Sequence, residues 1–223
     1  MTAKTVIEES IRASGSQRLD TATISFKFRD AVYQAERNNG HYKLSRERSD
    51  STGVTVDRLT NDSFIRTIDG EKIIVADSMV QRYSNSINSV HYFSALPFGL
   101  DDQAVKLKYI DSVEIKEKPY HKIEVSFAEE GGGTDFEDVF IYWIHRDTFF
   151  VDYLAYEFHV NGGGVRFREA YNERFVSGVR IVDYNNYKPQ SDELKLKETD
   201  DAFAQNKLEL LSKIELEAVK INR

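Results

Sequence analysis

The stretch from Val139 to Tyr187, VFIYWIHRDTFFVDYLAYEFHVNGGGVRFREAYNERFVSGVRIVDYNNY, decides the fold class. It reads as four consecutive strands, VFIYWIHR, TFFVDYLAYEFHV, GVRFREAYNER and VSGVRIVDYNNY, each rich in aromatic and β-branched residues. Turn chemistry separates them: Arg146-Asp147, then Asn161-Gly162-Gly163-Gly164, then Asn172-Glu173-Arg174. Long strands with no helix between them imply a large antiparallel sheet.

Working toward the amino terminus, Val6, Ile7 and Ile11 mark a short amphipathic helix over Thr5–Ala13, stopped by Ser14-Gly15. From Thr21 the period becomes two, with Ala22, Ile24, Phe26 and Phe28 on one face. AVYQAER, HYKLSRE, GVTVDRL and SFIRTID continue as short strands between turns at Asn38-Asn39-Gly40, Ser51-Thr52-Gly53, Asn61-Asp62 and Asp69-Gly70. Residues 76–100 interrupt this meander. Met79, Val80, Tyr83, Ile87 and Val90 fall at helical spacing, with Asp77 as N-cap and Pro97 and Gly99 beyond the end. Weak helix formers at 84–88 predict a kink or two short helices.

Strands resume at Val105–Ile115 and Pro119–Phe127, and LELLSKIELEAVKI alternates as a closing strand. It sets Leu208, Leu210, Ser212, Ile214, Leu216 and Ala218 on one face. No Gly/Ser/Pro linker or internal repeat divides the chain. The expectation is a single mainly β (α+β) domain over 1–223. Its core would be one curved antiparallel half-barrel sheet of about eleven strands, with helices plugging the concave face.

Composition narrows the function classes. Fourteen Phe and twelve Tyr against three Pro suit wide, uninterrupted ladders. A net charge of −7 without a basic block gives a nucleic-acid backbone nothing to hold, so no nucleic-acid partner is expected. The absence of cysteine excludes disulfides, thiolate nucleophiles and Cys-based zinc sites. No apolar run approaches the ~20 residues of a membrane span. Met1 leads into a charged helix rather than a signal peptide, which fits either a cytoplasmic protein or one whose leader has been processed.

Catalytic motifs are missing. Histidines 41, 91, 121, 145 and 159 form no metal-binding pair at helical spacing, and no Gly-x-Ser-x-Gly elbow occurs. The runs Gly131–Gly133 and Gly162–Gly164 open strands rather than helices, so they read as hairpin turns, not phosphate cradles. Glu129, Glu130, Asp135, Glu137 and Asp138 lack the spacing of a calcium loop. Lys27, Lys43, Lys106, Lys108 and Lys122 fall on polar strand faces, away from the desolvated setting that a Schiff base needs. No cofactor, metal or enzymatic activity is expected.

Two strings invite a ligand. In VRFREAYNER, alternation sends Arg166, Arg168 and Asn172 to one face, either to pair with Asp152, Glu157 and Asp183 or to hold an anionic head group. HYFSALPFGL places His91, Tyr92, Phe93, Leu96 and Phe98 before a proline–glycine stop, either as core packing or as a lid over a cavity.

The strings NSINSVHYFSALPFGLDDQAV, AEEGGGTDFEDVFIYWI and VDYLAYEFHVNGGGVRFREAYNERFVSGVRIVDYNNYKP resemble an uncharacterised family of Bacteroidetes lipoproteins, over nearly the whole chain. That family is similar in architecture to the LolA/LolB group of lipoprotein carriers. The resemblance implies a periplasmic or outer-membrane location and membrane association through a lipidated cysteine, which this chain lacks. Some members carry a deoxyribose-phosphate aldolase label. The sequence does not support it, because that chemistry belongs to a β/α barrel of alternating strands and helices.

The resulting expectation is a non-enzymatic envelope protein that binds an acyl chain, lipid or lipoprotein anchor. Tyr92, Phe93, Phe98, Trp143 and Tyr153 would line the site, and Arg166 and Arg168 would meet the head group. The alternative is an envelope scaffold with a solid core.

Overall fold

The computed structural model describes every residue except 131–136, 160–161, 192 and 223. Strand accounts for 53% of the chain and helix for 22%, so the mainly β class holds. Among the described residues the strands number fourteen rather than eleven, and they form two seven-stranded antiparallel sheets rather than one.

The first sheet contains β1 (Thr23–Phe28), β2 (Ala31–Asn38), β3 (His41–Asp50), β4 (Gly53–Thr60), β5 (Phe64–Ile68), β6 (Glu71–Ile73) and β14 (Glu217–Asn222). Its order is β14-β1-β2-β3-β4-β5-β6. The second contains β7 (Val105–Ile115), β8 (Lys118–Phe127), β9 (Val139–His145), β10 (Val151–Phe158), β11 (Gly164–Val176), β12 (Val179–Pro189) and β13 (Leu208–Ile214). It runs β13-β12-β11-β10-β9-β8-β7. Every neighbour in the second sheet is also a neighbour in sequence, as a meander of hairpins requires. Among the described residues three α-helices accompany the sheets: α1 (Ala3–Ser14), α2 (Asp77–Ala95) and α3 (Thr199–Ala204).

The chain divides into two compact units. The α2 unit comprises Gly15–Phe98, Arg174–Ile181 and Glu215–Arg223, and the α3 unit comprises Met1–Ser14, Gly99–Glu173 and Val182–Ile214. In the α2 unit, helix α2 packs on β3 and β4. Leu19, Ile24, Phe26, Tyr33, Leu44, Ile87 and Ile221 are buried in its core. In the α3 unit, α1 packs on β7, while Trp143, Tyr153, Phe167, Leu196 and Ala202 form a core that includes α3.

Four local expectations change. Helix α2 is one helix rather than two short ones, and Ala76 rather than Asp77 occupies its N-cap. The weak propensity at 84–88 is overridden by burial of Ile87 and His91 against the sheet. Asn172 does not end β11. It adopts φ 50°, which asparagine tolerates, and its amide donates to Asp183 Oδ2 at 2.6 Å, so the turn moves to Ser177-Gly178. The closing segment splits into β13 and β14, in different sheets, with Ala218 at φ 50°. Of the glycine runs, Gly162–Gly164 connects β10 to β11 with positive φ throughout. Gly131–Gly133 lies outside the described residues.

Gly15 marks a close approach within the α2 unit. At φ 69°, a Cβ there would stand 2.1 Å from the Gly178 carbonyl oxygen.

Candidate functional site

Strand register builds a row of inward side chains across the first sheet. Phe26 faces Tyr33, Tyr33 faces Arg46, Arg46 faces Asp57 and Asp57 faces Arg66. Three charges therefore fall on consecutive strands, and Arg46 and Asp57 are buried. Arg46 donates to Asp57 Oδ2 through Nη2 at 2.7 Å, and Arg66 donates through Nε to Oδ1 at 2.6 Å and through Nη2 to Oδ2 at 2.9 Å. Burial alone would raise the Asp57 pKa, but the hydrogen bonds from Arg66 and Arg46 outweigh it and hold the carboxyl below its usual range. Helix α2 closes over this triad. Ser86 accepts from Arg46 Nη1 at 3.0 Å, and the Tyr83 ring lies 3.6 Å from the Arg66 guanidinium carbon.

One turn further along α2, His91 is 1% exposed and sits edge-on to Phe26 and Tyr33, with ring centroids at 5.9 and 5.6 Å. Its Nε2 lies 3.2 Å from the Ser45 carbonyl oxygen. Burial lowers its pKa to about 3, and the nearby Arg37 adds to the effect. Arg37 is itself desolvated, which lowers its pKa to about 10 against the opposing pull of Asp20. The Phe98 ring centroid lies 5.1 Å from the Arg37 guanidinium carbon.

Among the predicted ligand residues of this unit, Tyr92 and Phe93 form an edge-to-face pair at 5.3 Å, and both are half-buried. Phe98 packs partly buried on the apolar core. HYFSALPFGL thus combines core packing at His91 and Ala95 with partly open aromatic surface beside them.

The four predicted residues of the α3 unit do not share one face. Trp143 pairs with Tyr153 across β9 and β10, and both are sealed into the core with Leu196, Ala202 and Phe203. Trp143 Nε1 donates to Asp200 Oδ2 at 3.1 Å. These two, expected to line a ligand site, are packed under α3 and the segment before it. Arg168 pairs with Leu154 and Arg166 with Tyr156, on the opposite side of the strands. Arg168 Nη2 donates to the Tyr156 hydroxyl at 2.9 Å. Arg166 lies over Phe158 at 5.0 Å and donates to the Val165 carbonyl oxygen at 2.9 Å.

Lys122 also departs from its expected exposed place. It is 6% exposed, and its Nζ contacts both Asp200 carboxylate oxygens at 2.8 Å and the Lys197 carbonyl oxygen at 2.7 Å. Nearby, Glu169 accepts from Lys116, Asn185 and Tyr187, and burial followed by that carboxylate raises the Tyr187 pKa to about 12. An open cleft of about 540 Å³ is lined by Tyr109, Ser112, Pro119, His121, Arg146, Asp147 and Met1. Within it the Tyr109 hydroxyl lies 2.9 Å from His121 Nδ1. Burial, with Arg146 nearby, lowers the His121 pKa.

Arg37 and the Arg46–Asp57–Arg66 triad were missed as site residues from sequence. Their signal was present as charges at inward positions of consecutive short strands, where alternation calls for apolar side chains.

No helix among the described residues is long and apolar enough to cross a membrane. A LolA-superfamily protein from Nitrosomonas europaea superposes with TM-score 0.54 at 12% identity, covering 100% of this chain and 92% of that one. A DUF1329-family protein from Desulfovibrio piger gives 0.47 at 7% identity, with 98% and 92% covered. A putative outer membrane lipoprotein-sorting protein domain from Vibrio parahaemolyticus gives 0.45 at 6% identity, with 91% and 99% covered. The first of these establishes a LolA-like fold and leaves activity open. A comparison with curated proteins finds no match. The model of DUF6503, a family of unknown function, matches residues 1–216, and the chain belongs to that family.

Proposed function

We propose that this chain is a non-enzymatic protein of the bacterial envelope that binds an apolar or amphipathic ligand: an acyl chain, a lipid or a lipoprotein anchor. The observation that carries the reading is the state of α2. In a helix of nineteen residues, only Ile87, His91 and Ala95 are buried, while Tyr83, Val90, Tyr92 and Phe93 remain half-exposed. Partly open aromatic surface beside an apolar core suits an apolar guest, which would contribute roughly 0.8 kcal/mol per buried methylene. Tyr92, Phe93 and Phe98 are the residues assigned to it. On the α3 unit, Arg166 and Arg168 are assigned to an anionic group. The LolA-like fold is in keeping with the reading.

The test is displacement of a fluorescent fatty-acid probe, together with lipid mass spectrometry of the purified protein. Phe93→Glu and Phe98→Glu should weaken probe binding at least tenfold while the far-UV spectrum and unfolding midpoint change little. A scaffold with a solid core predicts no probe binding, and global unfolding from the same substitutions. That result would replace the proposal.

A further inference from the structure

One face of β7 and β8 gathers polar groups on the open cleft of the α3 unit. The ladder slips by one residue between Tyr109 and Asp111, so Tyr109 stands opposite Ile123 and Ser112 opposite His121. On a regular strand Tyr109 and Ser112 would point to opposite sides, and the slip turns both to the face that carries His121. His121 is fixed from two sides. Its Nδ1 lies 2.9 Å from the Tyr109 hydroxyl, and its ring stacks on Phe149 with centroids 6.2 Å apart. Phe149 holds φ 57° there, a conformation that aromatic residues seldom adopt. Burial, followed by the charge of Arg146, lowers the His121 pKa and keeps the imidazole neutral. A phenol is a better donor than acceptor, so Tyr109 gives its proton to Nδ1 and the ring proton sits on Nε2. That nitrogen has no hydrogen-bond partner among the described residues and is not sealed from solvent. With its proton in place it is a donor, not a base toward Ser112.

We propose that this cleft binds a carboxylate monoanion with a short apolar tail, held by His121 Nε2–H, the Ser112 hydroxyl and the Arg146 guanidinium. Its volume of about 540 Å³ is of the size that takes a small molecule. The three groups line it, and each can donate. Arg146 is exposed on the turn after β9 and forms no ion pair with a described residue, so its fork is open to a planar carboxylate. Asp147, next to it on the cleft wall, likewise has no cationic partner among the described residues. It limits the charge of the ligand, because a second negative charge would meet it with repulsion. A phosphate monoester, mostly dianionic at neutral pH, is therefore disfavoured. The rings of Pro119 and Tyr109 supply apolar wall for the tail. The aromatic residues of the apolar-ligand reading belong to the α2 unit, so the two sites stand or fall separately.

The test follows the Cε1–H resonance of His121, assigned by its loss in His121→Gln, during titration with hexanoate, hexanamide and hexyl phosphate. At about pH 8 the phosphate is a dianion. Hexanoate should shift the resonance to saturation by about 20 mM, and the other two should each need about tenfold more. Arg146→Met should weaken hexanoate about tenfold, and Arg146→Lys should restore part of the loss. Ser112→Ala should weaken it about threefold, the worth of a neutral hydrogen bond. Asp147→Asn should narrow the gap between hexanoate and hexyl phosphate. All three positions are exposed, so these variants keep the fold, which the far-UV spectrum checks. Phe93→Glu and Phe98→Glu should leave the His121 response unchanged. A resonance that hexanoate does not move, hexanamide that binds as tightly as hexanoate, or parental affinity in Arg146→Met overturns the site. Loss of the response in Phe93→Glu or Phe98→Glu overturns it too, by placing hexanoate at α2. A phosphate gap that persists in full in Asp147→Asn overturns the limit on charge.

Discussion

His91 ties the C-terminal part of α2 to β3 by donating its Nε2 proton to the Ser45 carbonyl oxygen at 3.2 Å, in a setting only 1% exposed. The charged group that acts on it is Arg37 on β2, and the ring of Tyr33 on the same strand lies 5.6 Å away, edge-on. Protonation would therefore place a second cation in a desolvated site. The folded-state pKa of about 3 lies below the ordinary 6.5, so the unfolded chain takes up a proton that the folded chain refuses. Stability is fully present above about pH 6.5 and falls as pH drops toward 3, by up to about 1.4 kcal/mol per pH unit. His91→Gln should flatten the pH dependence of the urea midpoint between pH 6.5 and 4. Parallel curves for parent and variant would exclude this assignment.

Asp57 holds two arginines at once, so its removal leaves their charges beneath α2 without a counterion. Asp57→Asn should destabilise by about 3–5 kcal/mol, the usual cost of breaking a buried ion pair from one side. Replacing the whole triad, as Arg46→Met, Asp57→Leu and Arg66→Met together, should recover most of that loss, because no charge then remains to be solvated. A triple variant no more stable than Asp57→Asn alone would show that packing under α2, not charge balance, sets the cost.

Gly15 and Gly40 separate two costs of a side chain at positive φ. At Gly40, with φ 82°, a Cβ meets nothing within 4 Å, so Gly40→Ala should cost about 1 kcal/mol of backbone strain alone. At Gly15 the same methyl would meet the Gly178 carbonyl oxygen, and the chain must move to admit it. Gly15→Ala should lower the unfolding midpoint by at least twice the shift of Gly40→Ala. Equal shifts would mean that the approach relaxes freely.

The meander from Val139 onward was legible because period-two alternation and turn residues report local geometry directly. Alternation at Phe26 and Phe28 likewise marked the apolar face of β1, and the spacing of Ile87 and Val90 marked α2. The separation into two sheets was not legible, because strand partners are set by contacts distant in sequence. β14 joins β1 at the other end of the chain, while β13, two residues before it, joins β12. Of the candidate site, the aromatic string at 91–98 was visible. The cover that α3 lays over Trp143 and Tyr153 was not visible, because period two assigns a residue to a face but does not say what covers that face. Lys122 illustrates the same gap, since its partner Asp200 lies 78 residues away in a short polar helix.

Trp143 is the only tryptophan in the chain, which makes the contact beneath α3 optically readable. Its indole is fully buried, and its Nε1 proton goes to the carboxylate that also holds Lys122. Asp200→Asn would leave the Lys122 ammonium buried against an amide, a change that should cost about 3–5 kcal/mol if α3 stays docked. Undocking α3 is the cheaper response, because it returns Lys122 to water. We therefore expect Asp200→Asn to red-shift Trp143 emission and increase its quenching by acrylamide well below the unfolding transition. Asp201→Asn serves as the control, since Asp201 is exposed one residue further along the same helix. Lys122→Met combined with Asp200→Leu should restore the blue emission by removing both charges. If emission and quenching stay at parental values in Asp200→Asn, then the apolar contacts of Leu196, Ala202 and Phe203 hold α3 in place without the ion pair.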